Sequence, residues 1–233
     1  MLRTMAVRCA VLAAAAVCGL AACAPGLGGT DDPAGTGPPG DSADTAQTGR
    51  YSGLPEPCGS VNGETLRELL PDGDPETYAG EPMETYDTGR RSGCDWSNTG
   101  DTDSQQLSVD FLRVISYDPA VSDDDQAQLD FQERATEAGI PAAGTEPAIP
   151  PAEDALDSRA LEGLGDGAFI DDVLTETGQG DRRNVTVTFR NANVIVTVTY
   201  TVSTTLTDAP PDSARLQQRA QTVAQQLAGA LDE

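Results

Sequence analysis

A chain of 233 residues with 38 acidic and 14 basic side chains carries a formal charge of −24, which argues against nucleic acid and against a polybasic grip on anionic lipid. It has neither histidine nor lysine, so Ser-His-Asp and Cys-His catalysis, ordinary zinc sites, Schiff bases and the usual P-loop are excluded. Paired Asp/Glu chemistry, or calcium held by oxygens, is what remains to an enzymatic or metal-binding reading.

At the N-terminus, Arg3 and Arg8 precede an apolar run from Cys9 to Leu20, which ends in Leu20-Ala21-Ala22-Cys23. A positive start, a short apolar stretch and small residues before a cut are the parts of a secretory signal. The run falls short of the roughly 20 apolar residues that span a bilayer, so a transmembrane anchor is disfavoured. A plain signal peptide with an incidental cysteine is the nearer alternative. Leu-Ala-Ala-Cys resembles the bacterial lipobox, which implies cleavage after Ala22 and a diacylglycerol thioether on Cys23. Residues 1–22 then leave as the signal peptide, taking Cys9 and Cys18. The mature chain is expected to be lipid-anchored on the extracytoplasmic face of the cell membrane, because two or three acyl chains hold far more firmly than one.

Residues 23–53 are expected to be a disordered tether, since Gly, Pro, Asp, Thr, Ser and Ala offer almost nothing to bury. At roughly 5–6 Å × √n, about 30 such residues reach on the order of 30 Å. The remainder, 54–233, reads as one domain. Asn62 is a credible N-cap for a short helix carrying Leu66, Leu69 and Leu70, and Pro71 ends it. A Gly/Pro/Asp-rich connection runs to about Gly80. Arg90 to Ser97 reads as a strand, Asn98 to Asp101 as a turn, and Leu107, Val109 and Phe111 as the alternating apolar side of a second strand. Ser122 with Asp125 resembles a capping box with a shorter acid, opening a helix that runs to Ala138 with Ala127, Phe131, Ala135 and Ala138 inward and Gly139 as its stop. Ile140 to Asp154 reads as a loop. After Gly163-Leu164-Gly165-Asp166-Gly167 come a short strand at Ala168 to Ile170, a strand with Val185, Val187 and Phe189 on one side, and a turn near Asn191-Ala192. A strand follows with Val194, Val196, Val198, Tyr200 and Val202 on one side. A last helix, capped by Asp212 or Ser213, aligns Leu216, Ala220, Val223, Ala224, Leu227 and Leu231. The order α-β-β-α-β-β-β-α predicts an α+β fold, an antiparallel sheet packed with helices.

Once Cys23 is lipidated, Cys58 and Cys94 are left, and an even pair in an exported chain reads as a structural disulfide. The alternatives are a redox pair, which ordinarily takes C-x-x-C, and two free thiols. A bridge closing a loop of that size stabilises by about 3–4 kcal/mol. The lipobox, the Gly/Pro/Thr tether, Pro57-Cys58, the Leu-rich helix, Cys94-Asp95-Trp96, Gly163-Leu164-Gly165-Asp166-Gly167-Ala168-Phe169, the valine strands and the final helix together resemble the actinobacterial domain-of-unknown-function lipoproteins. That resemblance spans about Leu54 to Leu231. It implies a disulfide-bonded cell-envelope lipoprotein and no activity, with Gly59-Ser60-Val61 departing from the apolar run expected after the first cysteine. Similar cysteine and Gly-Leu-Gly-Asp patterns in the extracellular sensor domains of actinobacterial receptor kinases favour binding over catalysis.

The candidate ligand surface is the hydroxyl side of the valine strands, Thr186, Thr188, Thr197, Thr199 and Thr201, a patch suited to sugar or peptide, with Trp96 as a possible stacking residue. Threonine also suits strands for its own sake, and Trp96, two residues after Cys94, is expected first to pack over the disulfide. Asp101 with Asp103, Asp123-Asp124-Asp125 and Asp72-Gly73-Asp74 read as loop and cap acids ahead of a calcium site, because an EF-hand's spacing is absent. The glycines from 163 to 167 read as a turn before a strand, since no helix follows to hold a phosphate. The leading expectation is therefore a surface-tethered binding or sensing module for an envelope ligand or protein, with no metal, cofactor or catalytic residue assigned. A ligand-free structural protein is the alternative, and a carboxylate-based hydrolase a weaker one. Replacing Cys23→Ala is expected to move the protein from the membrane to the soluble fraction with its domain still folded. Continued lipid labelling of that variant would refute the anchor.

Overall fold

The chain builds each helix start from a side-chain acceptor that takes an otherwise orphaned backbone donor. In the computed structural model, which describes residues 47–140, 158–205 and 209–232, α1 (Gly63–Leu69) opens under Asn62, whose side chain accepts the Thr65 N–H at 2.8 Å. α2 (Pro75–Ala79) opens under Asp74, which accepts the Thr77 N–H at 2.8 Å, with Pro75 at a position where no N–H is missed. α3 (Asp123–Glu137) has the short-acid box: Ser122 Oγ accepts the Asp125 N–H at 3.1 Å and donates to the Asp125 carboxylate at 2.7 Å. α4 (Ser213–Leu231) opens under Asp212, which accepts the Arg215 N–H at 2.7 Å. The signal peptide, Cys23, residues 24–46 of the expected tether and residues 141–157 lie outside the described residues.

The strands are β1 (Glu81–Pro82), β2 (Arg91–Thr99), β3 (Asp103–Arg113), β4 (Arg159–Leu161), β5 (Gly167–Thr177), β6 (Gly180–Asn191) and β7 (Val194–Thr204). They form one antiparallel sheet in the order β1-β2-β3-β7-β6-β5-β4. The α+β class and the approximate element order are those expected. Three short elements, α2, β1 and β4, are additional, being too brief to leave a periodic signal. β5 runs well past Ile170, because its outer half is held to β6 by the backbone ladder and by the Asp172–Arg183 ion pair, neither of which leaves an apolar alternation in the sequence.

One face of the sheet holds the main core. Leu107, Val109 and Phe111 from β3, Val185, Val187 and Phe189 from β6, and Val194, Val196, Val198 and Tyr200 from β7 pack with Leu216, Ala220, Val223, Ala224 and Leu227 of α4 and Leu66 and Leu69 of α1. The second face carries a smaller cluster, in which Ala127 of α3 meets Ile195 and Val114, with Leu112 and Phe131 at its rim. Cys58 and Cys94 are bonded, with Cα atoms 5.2 Å apart, tying the chain before α1 to β2. Gly80, at φ +71°, lies against this bridge: a Cβ there would come 2.5 Å from Trp96 Nε1 and 2.6 Å from Cys94 Sγ.

The sequence-derived boundary between tether and domain moves. Residues 47–53 are not free chain: the Tyr51 N–H and C=O pair with the Asn193 side chain at 2.9 and 3.0 Å, and Tyr51 packs against the core. The cause is Asn193, fully buried where β6 turns into β7, whose amide needs both a donor and an acceptor. Arg50 and the Tyr51 hydroxyl both reach Asp232 beyond α4, at 2.9 and 3.1 Å.

Tyr200, fully buried on the central strand, donates its hydroxyl to the Leu69 carbonyl in the last turn of α1 at 2.7 Å. That carbonyl has no partner within the helix. Burial raises the Tyr200 pKa above 10.0, outweighing the lowering by nearby Arg219. The unfolded chain therefore ionises first as pH rises past about 10, and stability is lost from there up to the raised folded value. Tyr200→Phe is expected to cost about 1–2 kcal/mol at neutral pH through the orphaned carbonyl. Denaturant titrations at pH 8, 10 and 11 should show the gap between the two proteins narrowing at the alkaline end, and a constant gap would contradict this.

Candidate functional site

Strand alternation sends the threonines to the face opposite the main core, and antiparallel pairing lines them up across the sheet. One row reads Asp95, Ser108, Thr199, Thr186 and Asp171; the row beside it reads Gly93, Asp110, Thr197, Thr188 and Phe169; a third reads Ser97, Gln106, Thr201, Asn184 and Val173. Hydroxyls, amides and carboxylates dominate all three. Thr186 and Thr199 hydroxyl oxygens lie 3.4 Å apart. The Thr201 hydroxyl donates to the Asn184 side chain at 2.6 Å.

The expected patch is only partly available. Thr186, Thr197 and Thr199 are half-buried and reach solvent, whereas Thr188 and Thr201 are 3% and 5% exposed. Trp96 is corrected outright as a ligand-face residue. It pairs with Leu107, faces the main core and is 2% exposed, because it lies two positions from Cys94 on the same strand. It packs beside the disulfide with α1 and α4 on its side of the sheet.

The acids on and near this face are mostly engaged. Arg91 Nε donates to Asp110 at 2.7 Å, and Ser158 Oγ donates to Asp171. Asp172, on the core side with a side chain 1% exposed, accepts from Arg183 at 2.8 Å, Ser213 at 2.5 Å and Gln217 at 2.7 Å. In the Gly163-to-Gly167 turn, Asp166 accepts the Ala192 N–H at 2.7 Å and pairs with Arg190 at 3.3 Å. Gly165, at φ +57°, lets that turn approach: a Cβ there would sit 2.3 Å from the Arg190 carbonyl. The motif thus locks the start of β5 onto the β6–β7 turn. Of the acids weighed for calcium, Asp74 caps α2, Asp103 accepts from Gln105, and Asp123 spends both carboxylate oxygens on the backbone N–H groups of Ser116 and Gly49, at 2.8 and 3.0 Å.

α3 crosses the polar face over β6 and β7, with Phe131 against Phe169 at 5.4 Å between ring centres. On the β3 side of this helix opens a cleft of about 680 Å³, lined by Leu112, Val114, Ile115 and Pro119 together with Arg90, Tyr117, Asp118, Gln126 and Asp130. Leu112 follows Asp110 on the same strand side and pairs with Ile195, so the cleft lies one row beyond Thr197. Arg90 Nη1 donates to the Tyr117 hydroxyl at 2.6 Å, and its guanidinium lies 5.5 Å from that ring. The Arg90 Nε is buried with no partner. Sequence reasoning missed this cleft because its walls come from three separated segments. Its one available signal was Tyr117, an aromatic in the polar stretch Ser116 to Pro119 of a chain with 4% aromatics.

No family model, curated protein or solved structure matches this chain.

The two faces should answer a new charge differently. Val196→Asp buries an unpaired carboxylate against α4 and is expected to abolish the cooperative fold, since that penalty reaches several kcal/mol in a domain holding about 5–15 kcal/mol in all. Thr199→Asp is expected to cost about 1 kcal/mol or less in urea titration. Thr197 is a poorer choice, because it stands directly opposite Asp110. Equal losses at Val196 and Thr199 would show both faces sealed.

Proposed function

We propose that this chain is a cell-envelope lipoprotein whose domain acts as a binding module, carried outside the membrane by the lipid on Cys23 and presenting its polar sheet face to an envelope ligand. The observation that carries the reading is the unequal treatment of the two faces. α1 and α4 close one with leucine and valine, while on the other α3 covers only one end, leaving hydroxyls, amides and a cleft beside them. An antiparallel sheet with one solvated face needs polar side chains there in any case. A concave cleft with convergent polar groups goes beyond that need and is the usual form of a ligand site.

Binding is favoured over catalysis by the engagement of the acids. A carboxylate-based hydrolase needs two carboxyl groups about 5–9.5 Å apart and free to act. Here Asp110 is held by Arg91 and Asp171 by Ser158, and Asp172 faces the core. The resemblance to actinobacterial envelope lipoproteins and to receptor-kinase sensor domains points the same way, as does the tether preceding Gln47, which gives the domain reach.

The test is capture from envelope extract with the anchored protein, comparing it with a Thr186→Arg/Thr199→Arg variant that melts at the same temperature. Material retained by the parent and lost by the variant is the expected result. An identical retained set, or none from either protein, would remove the binding reading.

A further inference from the structure

We infer that the cleft between α3 and the end of β3 is a binding site for a neutral polyhydroxylated ligand, a saccharide, with Tyr117 as its stacking platform; this names the ligand class for the binding module proposed above and rests on that reading. Tyr117 is 84% exposed, yet its side chain is held by the Arg90 hydrogen bond and by the guanidinium over its ring. An exposed aromatic fixed in this way offers its face at little entropic cost. Beside it Leu112, Val114, Ile115 and Pro119 supply an apolar floor, and Arg90, Gln126 and Asp130 supply planar polar groups. A sugar ring presents the matching pattern, an apolar C–H face edged by hydroxyls.

Charge and hydrogen-bonding capacity separate this class from its rivals. Arg90 contributes one positive charge and Asp118 and Asp130 two negative ones, within a chain of net charge −24. An anion would meet repulsion both in the cleft and from the whole molecule. A cation would suit the carboxylates but meet the Arg90 guanidinium that lines the same cleft. Gln126 donates to Asp130 Oδ1 at 2.7 Å, so the cleft that Arg90 supplies with donors also carries carboxylate and amide acceptors. A hydroxyl both donates and accepts, so one ligand type satisfies both walls. An extended peptide would bind through backbone groups, but several N–H groups in and beside the cleft are used internally. Val114, Ser116, Ala120 and Val121 donate their N–H groups to Asn193, Asp123, Asp118 and Asp118 respectively.

The experiment is calorimetric titration of the full-length protein with neutral tetrasaccharides, chitotetraose, cellotetraose and maltotetraose. Inorganic phosphate, trilysine and tetraglycine serve as contrasting probes. The expected result is saturable binding of at least one tetrasaccharide, weakened tenfold or more by Tyr117→Ala and severalfold by Asp130→Ala, with Thr186→Arg unfolding no part of the domain and sparing the cleft. Circular dichroism melts establish that the exposed Tyr117 variant keeps its fold. The inference is overturned if no tetrasaccharide binds up to millimolar concentration, if the Tyr117 and Asp130 variants bind as the parent does, or if phosphate, trilysine or tetraglycine binds in a Tyr117-dependent way. Envelope capture that survives Tyr117→Ala but fails with the Thr186→Arg/Thr199→Arg variant would end the saccharide cleft while leaving the binding module standing.

Discussion

The register of β7 is the constraint on which the rest of the molecule depends. β7 lies at the centre of the sheet, paired along its whole length with β3 on one side and β6 on the other. Its side chains alternate between valine and threonine over Val194 to Val202, interrupted by Ile195 and Tyr200. A slip of one residue against either neighbour would turn the valines to water and bring threonines under α4. Both neighbours carry the same alternation, Leu107, Val109 and Phe111 on β3 and Val185, Val187 and Phe189 on β6, so three strands vote for one register. The two exceptions on β7 fit it as well. Ile195 supplies the seat for Ala127 of α3, and Tyr200 gives the core face a hydroxyl that satisfies the Leu69 carbonyl at the end of α1.

Acidic side chains do structural work throughout this chain, which changes how its charge should be understood. Asp74 and Asp212 cap helices, Asp166 fixes a turn, and Asp172 ties β5 to β6 and to the start of α4. Asp123 joins three segments that are remote in sequence: the chain entering the domain at Gly49, the loop at Ser116, and α3 itself. Removing such a carboxylate exposes several backbone donors at once, each with its own desolvation cost. The buried Asp172 needs its Arg183, Ser213 and Gln217 partners for the same reason, since a lone buried charge is far costlier than a paired one. The surplus acids remain on the surface, where they repel anions and keep the domain soluble.

The same contacts fix where the described chain enters the sheet. The chain enters beside the β6–β7 turn, where Asn193 grips Tyr51, and the cleft loop is bonded to that same entrance through Asp123. The open threonine rows extend away from it along the sheet. The polar face and the entering chain are thus joined through one set of contacts, while the disulfide ties the pre-α1 segment to β2.

The sequence alone determined the strands and helices whose burial repeats. The valine alternation, the leucine stripe of α4 and the N-caps at Asn62, Ser122 and Asp212 were legible because each depends on neighbours within a few residues, whereas the disulfide, 36 residues apart, was legible by cysteine count alone. It did not determine α2, β1 or β4, which are held by tertiary pairing and have no period of their own. It read Trp96 first as packing over the disulfide but kept it as a candidate for the threonine face, because spacing within one strand does not tell which face of another strand it shares. Only the pairing of β2 with β3, and of β3 with β7, decided that Trp96 belongs to the core. The ordered start before Leu54 depended on Asn193, some 142 residues away in sequence. The cleft was hidden for the same reason, as Arg90, Tyr117 and Asp130 become neighbours only when α3 crosses the sheet. Local periodicity records what a segment buries; which distant segments meet there is decided by the register of the strands between them.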